Sequence, residues 1–94
     1  MKLEVGKLYV CEKFHLMLYP DQETGVASGD AASADHAAST AAFWSKRFGK
    51  PVLFSEKNIP LLILNDKEEY VEVLAGDRKG WIIFKDWLNI KEIV

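Results

Sequence analysis

From Leu53 to Val94 short apolar runs alternate with polar turn residues, the rhythm of strands rather than of helices. The candidate strands are Pro51 to Ser55, Leu61 to Leu64, Tyr70 to Leu74, Gly80 to Phe84 and Asn89 to Ile93, separated by Gly, Pro, Asn, Asp and charged residues. Upstream, Leu8 to Leu18 reads as one long first strand, with Leu8, Val10, Phe14, Leu16 and Leu18 on one face and Tyr9, Cys11, Lys13, His15 and Met17 on the other. Glu12 interrupts the apolar order, which predicts a bulge or sharp bend there, and Tyr19-Pro20-Asp21 ends the strand. The pattern predicts a mainly β chain whose five or six strands close into a small barrel.

Between Asp21 and Ala32 the chain is rich in Gly, Ser, Ala and Asp without a periodic apolar face, and it is expected to form an exposed loop. Residues 33–48 change character and predict the chain's one helix. Ser33 is placed as N-cap, Asp35 lies in the first turn, Lys46 and Arg47 lie in the last, and Gly49 and Pro51 stop it. Ala37, Ala41, Trp44 and Phe48 form its packing stripe, while His36, Thr40, Phe43 and Arg47 form a flanking row. Loop and helix together make an insertion at 21–50 within a single domain spanning 1–94.

Composition narrows the function classes. With 94 residues, 49% of them apolar and 28% charged, the chain is long enough to bury a core without disulfides. Cys11 is the only cysteine, which suits a reducing, cytoplasmic setting, and no signal-peptide or membrane-spanning run is present. A net charge of -2 gives no general attraction for a phosphate backbone, so neither nucleic acid nor membrane is an expected partner.

Several segments resemble the Src-homology-3-like barrel, especially its bacterial and viral relatives. Leu53-Phe54-Ser55-Glu56-Lys57-Asn58-Ile59-Pro60-Leu61-Leu62-Ile63-Leu64 is similar to the family's diverging turn, and Gly76-Asp77-Arg78-Lys79-Gly80 to its distal hairpin. Tyr70-Val71-Glu72-Val73 resembles the strand whose leading aromatic borders the peptide groove, with Val71 and Val73 inward. Gly80-Trp81-Ile82 is similar to the glycine-aromatic-aliphatic signature of bacterial members, and Lys85-Asp86-Trp87-Leu88 stands where a short helical turn carries a groove aromatic. Ile83 or Phe84 replaces the proline before that turn, and roughly thirty residues replace the loop that flanks the groove. The resemblance implies protein or peptide binding.

Aromatic residues supply large contact area at small conformational cost, so Tyr70, Trp81, Trp87, Trp44 and Phe43 are the expected ligand-binding residues. Trp44 is alternatively core, packed against Trp87 or Tyr70. Asp66, Glu68, Glu69 and Glu72 make an acidic group that either selects a basic ligand or solvates the surface. Cys11 and His15 share a face, but four residues of strand hold them about 13 Å apart, too far for a nucleophile and its base. Two histidines and one cysteine make no metal set, and no catalytic constellation is legible. The expected function is therefore a non-enzymatic interaction module without a cofactor. The alternative is an assembly protein that homo-oligomerises through the helix or a strand edge.

Overall fold

The computed structural model describes residues 3–12, 15–28, 37–67, 70–83 and 90–93. In chain order its elements are β1 (Leu8–Cys11), β2 (Leu16–Leu18), α1 (Gln22–Ser28), α2 (Ala37–Phe48), β3 (Leu53–Ser55), β4 (Leu61–Asp66), β5 (Tyr70–Ala75), β6 (Arg78–Ile83) and β7 (Ile90–Glu92). The chain is mainly β, as the alternation predicts, but the described residues hold seven strands and two helices.

The strands do not close into the expected barrel. One antiparallel sheet runs in the order β6-β5-β4-β1-β7, and β2 and β3 form a second, two-stranded sheet. Among the described residues one backbone bridge fastens the two: Tyr19 N–H donates to the Trp81 carbonyl at 2.9 Å, and Trp81 N–H returns to the Tyr19 carbonyl at 2.8 Å. Among the described residues no ladder joins β3 to β7, so the sheet edges at those two strands stay separate.

The cause lies in the first strand, which is two strands. The bend predicted at Glu12 is a break between β1 and β2, and the inward face changes across it. In β1 it is Tyr9 and Cys11 that are buried while Leu8 is 44% exposed, so the face that carries Leu8 and Val10 is the outer one there. From β2 the main core receives Leu16 and Leu18, and a second core receives Met17 together with Tyr19, the residue that follows the strand. Side chains alternate with period two, so a shift of one residue at the break exchanges the faces. Leu16, Met17, Leu18 and Tyr19 are all buried because β2 lies between two apolar layers.

The main core gathers Leu3, Tyr9, Cys11, Leu16, Leu18, Leu61, Ile63, Val71, Val73, Ala75, Ile82 and Ile90. Val71 and Val73 point inward as expected, opposite Ile82 and Gly80 in the β5–β6 ladder. That hairpin turns on Gly76 and Asp77, with Gly76 at φ 65°, a backbone state that a two-residue turn requires and that glycine adopts without strain. β4 bulges between Ile63 and Asn65, and β3 and β4 diverge into different sheets.

On the other side of β2 and β3 lies α2. Ala41 is buried, and Trp44 and Phe48 pack on the second core, as the predicted stripe requires. The Ser45 hydroxyl lies 2.7 Å from the Ala41 carbonyl and accepts the Val52 N–H at 2.8 Å, tying the helix to the lead-in of β3. The proposed cap Ser33, with Asp35 and His36, lies outside the described residues.

The expected loop after Asp21 is in part a helix, α1. Asp21 caps it, its Oδ1 accepting the Thr24 N–H at 2.8 Å. Pro20-Asp21, followed by Glu23 in the first turn, is the capping signal that composition obscured. The helix rests on Tyr19 at Gly25, where a Cβ would meet the Tyr19 ring at 3.4 Å, an ordinary packing distance.

Candidate functional site

Of the five expected ligand-binding residues, the structure brings two together. In the β5–β6 ladder Glu72 pairs with Trp81 and Tyr70 with Ile83, so Tyr70, Glu72 and Trp81 share the outer face of the large sheet as direct and diagonal neighbours. Tyr70 and Trp81 are half-buried there. The start of α1 lies beside them and divides the surface into two adjoining hollows. One, of about 390 Å³, is lined by Gln22, Glu23, Ala27 and Tyr70. The other, of about 420 Å³, is lined by Asp21, Gln22, Glu23 and Trp81. Gln22 and Glu23 belong to both, so the hollows adjoin and together make up the Tyr70–Trp81 groove, with Tyr70 in one and Trp81 in the other. Sequence reasoning missed these two residues because it placed them in a loop.

Trp44 and Phe43 belong to a different place. Trp44 stacks on Phe48 with ring centroids 5.1 Å apart and meets Phe43 edge-on at 5.0 Å, all along α2. Neither lines the groove, so the five aromatics do not form one platform. Trp44 is a packing residue, although its partners are Phe43, Phe48 and the second core rather than Tyr70. Phe43 is 58% exposed. Trp87 lies outside the described residues, as do Glu68 and Glu69.

The groove's charge is predominantly negative. Glu23 lines it, and Glu72 stands beside Trp81 with a 3.4 Å hydrogen bond from Asn65 Nδ2. Asp21 is drawn toward Lys50, whose Nζ donates to Oδ2 at 2.9 Å. That ammonium first, and the Thr24 N–H second, hold the Asp21 carboxyl below its ordinary range. In the unfolded chain this group titrates near 3.8. Its folded pKa is lower, so the stabilisation is complete above the unfolded value and is lost as pH falls through the folded one. With side-chain exposures of 37% and 52%, water screens the ion pair, and the cap contributes most of the effect. Asp21→Ala is expected to cost about 1 kcal/mol at neutral pH in urea unfolding. The gap to the parent chain should narrow below about pH 4.

Cys11 is buried in the main core. His15 lies at the end of β3, its Nδ1 3.2 Å from the Ser55 carbonyl and 3.5 Å from Glu56 Oε2. Among the described residues no group of three or more His, Cys, Asp or Glu side chains is placed to hold a metal ion. No helix of the described residues is long and apolar enough to cross a membrane.

Compared with family models, curated proteins and solved structures, the chain matches none. Its chemistry is read from its own residues.

Proposed function

We propose that this chain is a non-enzymatic interaction module of the Src-homology-3-like kind, binding an extended protein or peptide segment along the Tyr70–Trp81 groove. The observation that carries the reading is the pairing of two half-buried aromatics on an open sheet face with the acidic start of α1. A shallow, continuous surface suits an extended chain, and Glu23 and Glu72 favour a segment with basic side chains, which can also lie over the ring faces. The divergence of β3 and β4 and the β5–β6 hairpin support the family assignment. The unpaired, buried Cys11 accords with a cytoplasmic setting.

Tryptophan fluorescence titration with basic, proline-containing decapeptides tests the reading. Binding is expected to weaken as salt rises, and Trp81→Ala is expected to reduce affinity by about thirtyfold while the fold persists. Equal affinity of Trp81→Ala and the parent chain would sink the groove.

A second reading, self-association, is favoured by a different surface from the helix or strand edge first expected. Leu8, Leu62 and Leu74 are direct cross-strand neighbours on the same outer face, and Ile93 donates its N–H to the Leu8 carbonyl beside them. Leu8 and Ile93 are 44% and 41% exposed, so an aliphatic row crosses a face that is normally polar in an antiparallel sheet of this kind. Under this reading sedimentation velocity of the free chain shows a concentration-dependent dimer that Leu8→Ser weakens; a monomer at every concentration rejects it.

A further inference from the structure

A separate cavity of about 200 Å³ opens between the end of β3 and the β5–β6 turn and shares no residue with the Tyr70–Trp81 groove. Phe54, Ile59 and Ala75 give it an apolar wall, while Arg78, Asp77 and Glu56, whose Oε2 lies 3.5 Å from His15 Nδ1, bring charges of both signs to its lining. Arg78 is held in place by two contacts. Its Nη1 donates to the Phe54 carbonyl at 2.7 Å, and its guanidinium carbon lies 5.4 Å from the Phe54 ring centroid. No carboxylate of the described residues forms an ion pair with it, so the rest of its planar fork of donors is available to a ligand.

The charge pattern restricts what fits. A simple carboxylate would satisfy Arg78 but meet Glu56 and Asp77, and a simple amine would satisfy those two but meet the guanidinium. A molecule carrying both charges on a short apolar body matches all of them. The volume corresponds to about seven waters at ~30 Å³ each, which limits the ligand to a small molecule. We propose that this cavity binds a free aliphatic α-amino acid. Its carboxylate lies on Arg78, its ammonium between Glu56 and Asp77, and its side chain against Phe54, Ile59 and Ala75. A residue within a polypeptide carries neither charge, so the site is distinct in chemistry as well as in place from the groove.

The test is a ¹⁵N–¹H correlation titration of the full chain with L-leucine, N-acetyl-L-leucine and L-leucinamide. L-Leucine is expected to give saturable shifts at the amides of Ile59 and of Ala75 to Arg78, and each blocked analogue to bind about tenfold more weakly or less. Arg78→Gln is expected to lower leucine affinity by a similar factor, whereas Trp81→Ala leaves it unchanged. Equal binding of the three ligands, shifts confined to the α1 groove, or no saturable shift with leucine would overturn the proposal. The analogue series decides the matter even if Arg78→Gln alters the fold, and failure here leaves the peptide titration of the groove unaffected.

Discussion

Replacing Gly80 with alanine is expected to destabilise the chain by about 3 kcal/mol or more, lowering Tm by roughly 15 °C. The position faces the main core opposite Val73, at the place where β2 crosses β6. A Cβ built on Gly80 would stand 2.6 Å from Leu18 Cβ and 2.9 Å from the Leu18 carbonyl carbon. Rotating a side chain does not relieve a clash with backbone, so β2 must withdraw. Withdrawal pulls on the Tyr19–Trp81 bridge, whose two backbone hydrogen bonds join β2 to β6. Chemical denaturation measures the loss, and Gly76→Ala provides the comparison. No atom lies within 4 Å of a Cβ there, so only the left-handed backbone resists, at about 1–2 kcal/mol. Equal effects at the two positions would mean that β2 does not press on β6.

Tyr19→Ala is expected to be as damaging, at about 3–5 kcal/mol. The side chain is fully buried in the second core, and its ring supports α1 at Gly25. Its backbone makes the bridge to Trp81, so one residue links β2, β6 and the helix that borders the groove. Loss of the ring leaves a cavity under α1 and removes the support that holds Gln22 and Glu23 beside Tyr70 and Trp81. Hydrogen exchange should therefore accelerate in α1 more than in β4 and β5, whose core does not use Tyr19. Tyr19→Leu, which keeps much of the volume, is expected to fall between the two. Uniform acceleration across the chain would show instead that Tyr19 supports the whole fold and not the helix in particular.

The strands from β3 onward were legible because each is a short apolar run between strong breakers, and β4, β5 and β6 pair with their neighbours in sequence. The stripe of α2 was legible for a similar reason: Ala41, Trp44 and Phe48 repeat at helical spacing on residues with nothing else to specify. α1 was not legible. Seven residues containing Gly25 and few apolar side chains carry almost no periodic signal, and the helix is positioned by the Asp21 cap and by Tyr19 beneath it.

The candidate site divides along the same line. Tyr70 and Trp81 could be chosen from sequence because the segments that carry them resemble the groove strand and the glycine-aromatic-aliphatic signature of the Src-homology-3-like barrel, and the hairpin between them sets their shared face. Gln22 and Glu23 could not, because a contact between a short helix and a distant hairpin depends on long-range packing. Grouping Trp44 and Phe43 with the others failed for that reason too: they lie on a helix seated against β2 and β3, not on the outer face of β5 and β6.

What the residues determine locally is therefore the mainly β character, the strands from β3 onward, the inward face of β5 and the packing stripe of α2, since period and turn chemistry act over a few residues. Glu12 marked an interruption of the first strand, but tertiary structure alone decided that it is a full break, that the inward face changes there, and that the two sheets do not close. These outcomes follow from β2 lying between two apolar layers, a condition that exists only once both cores have formed.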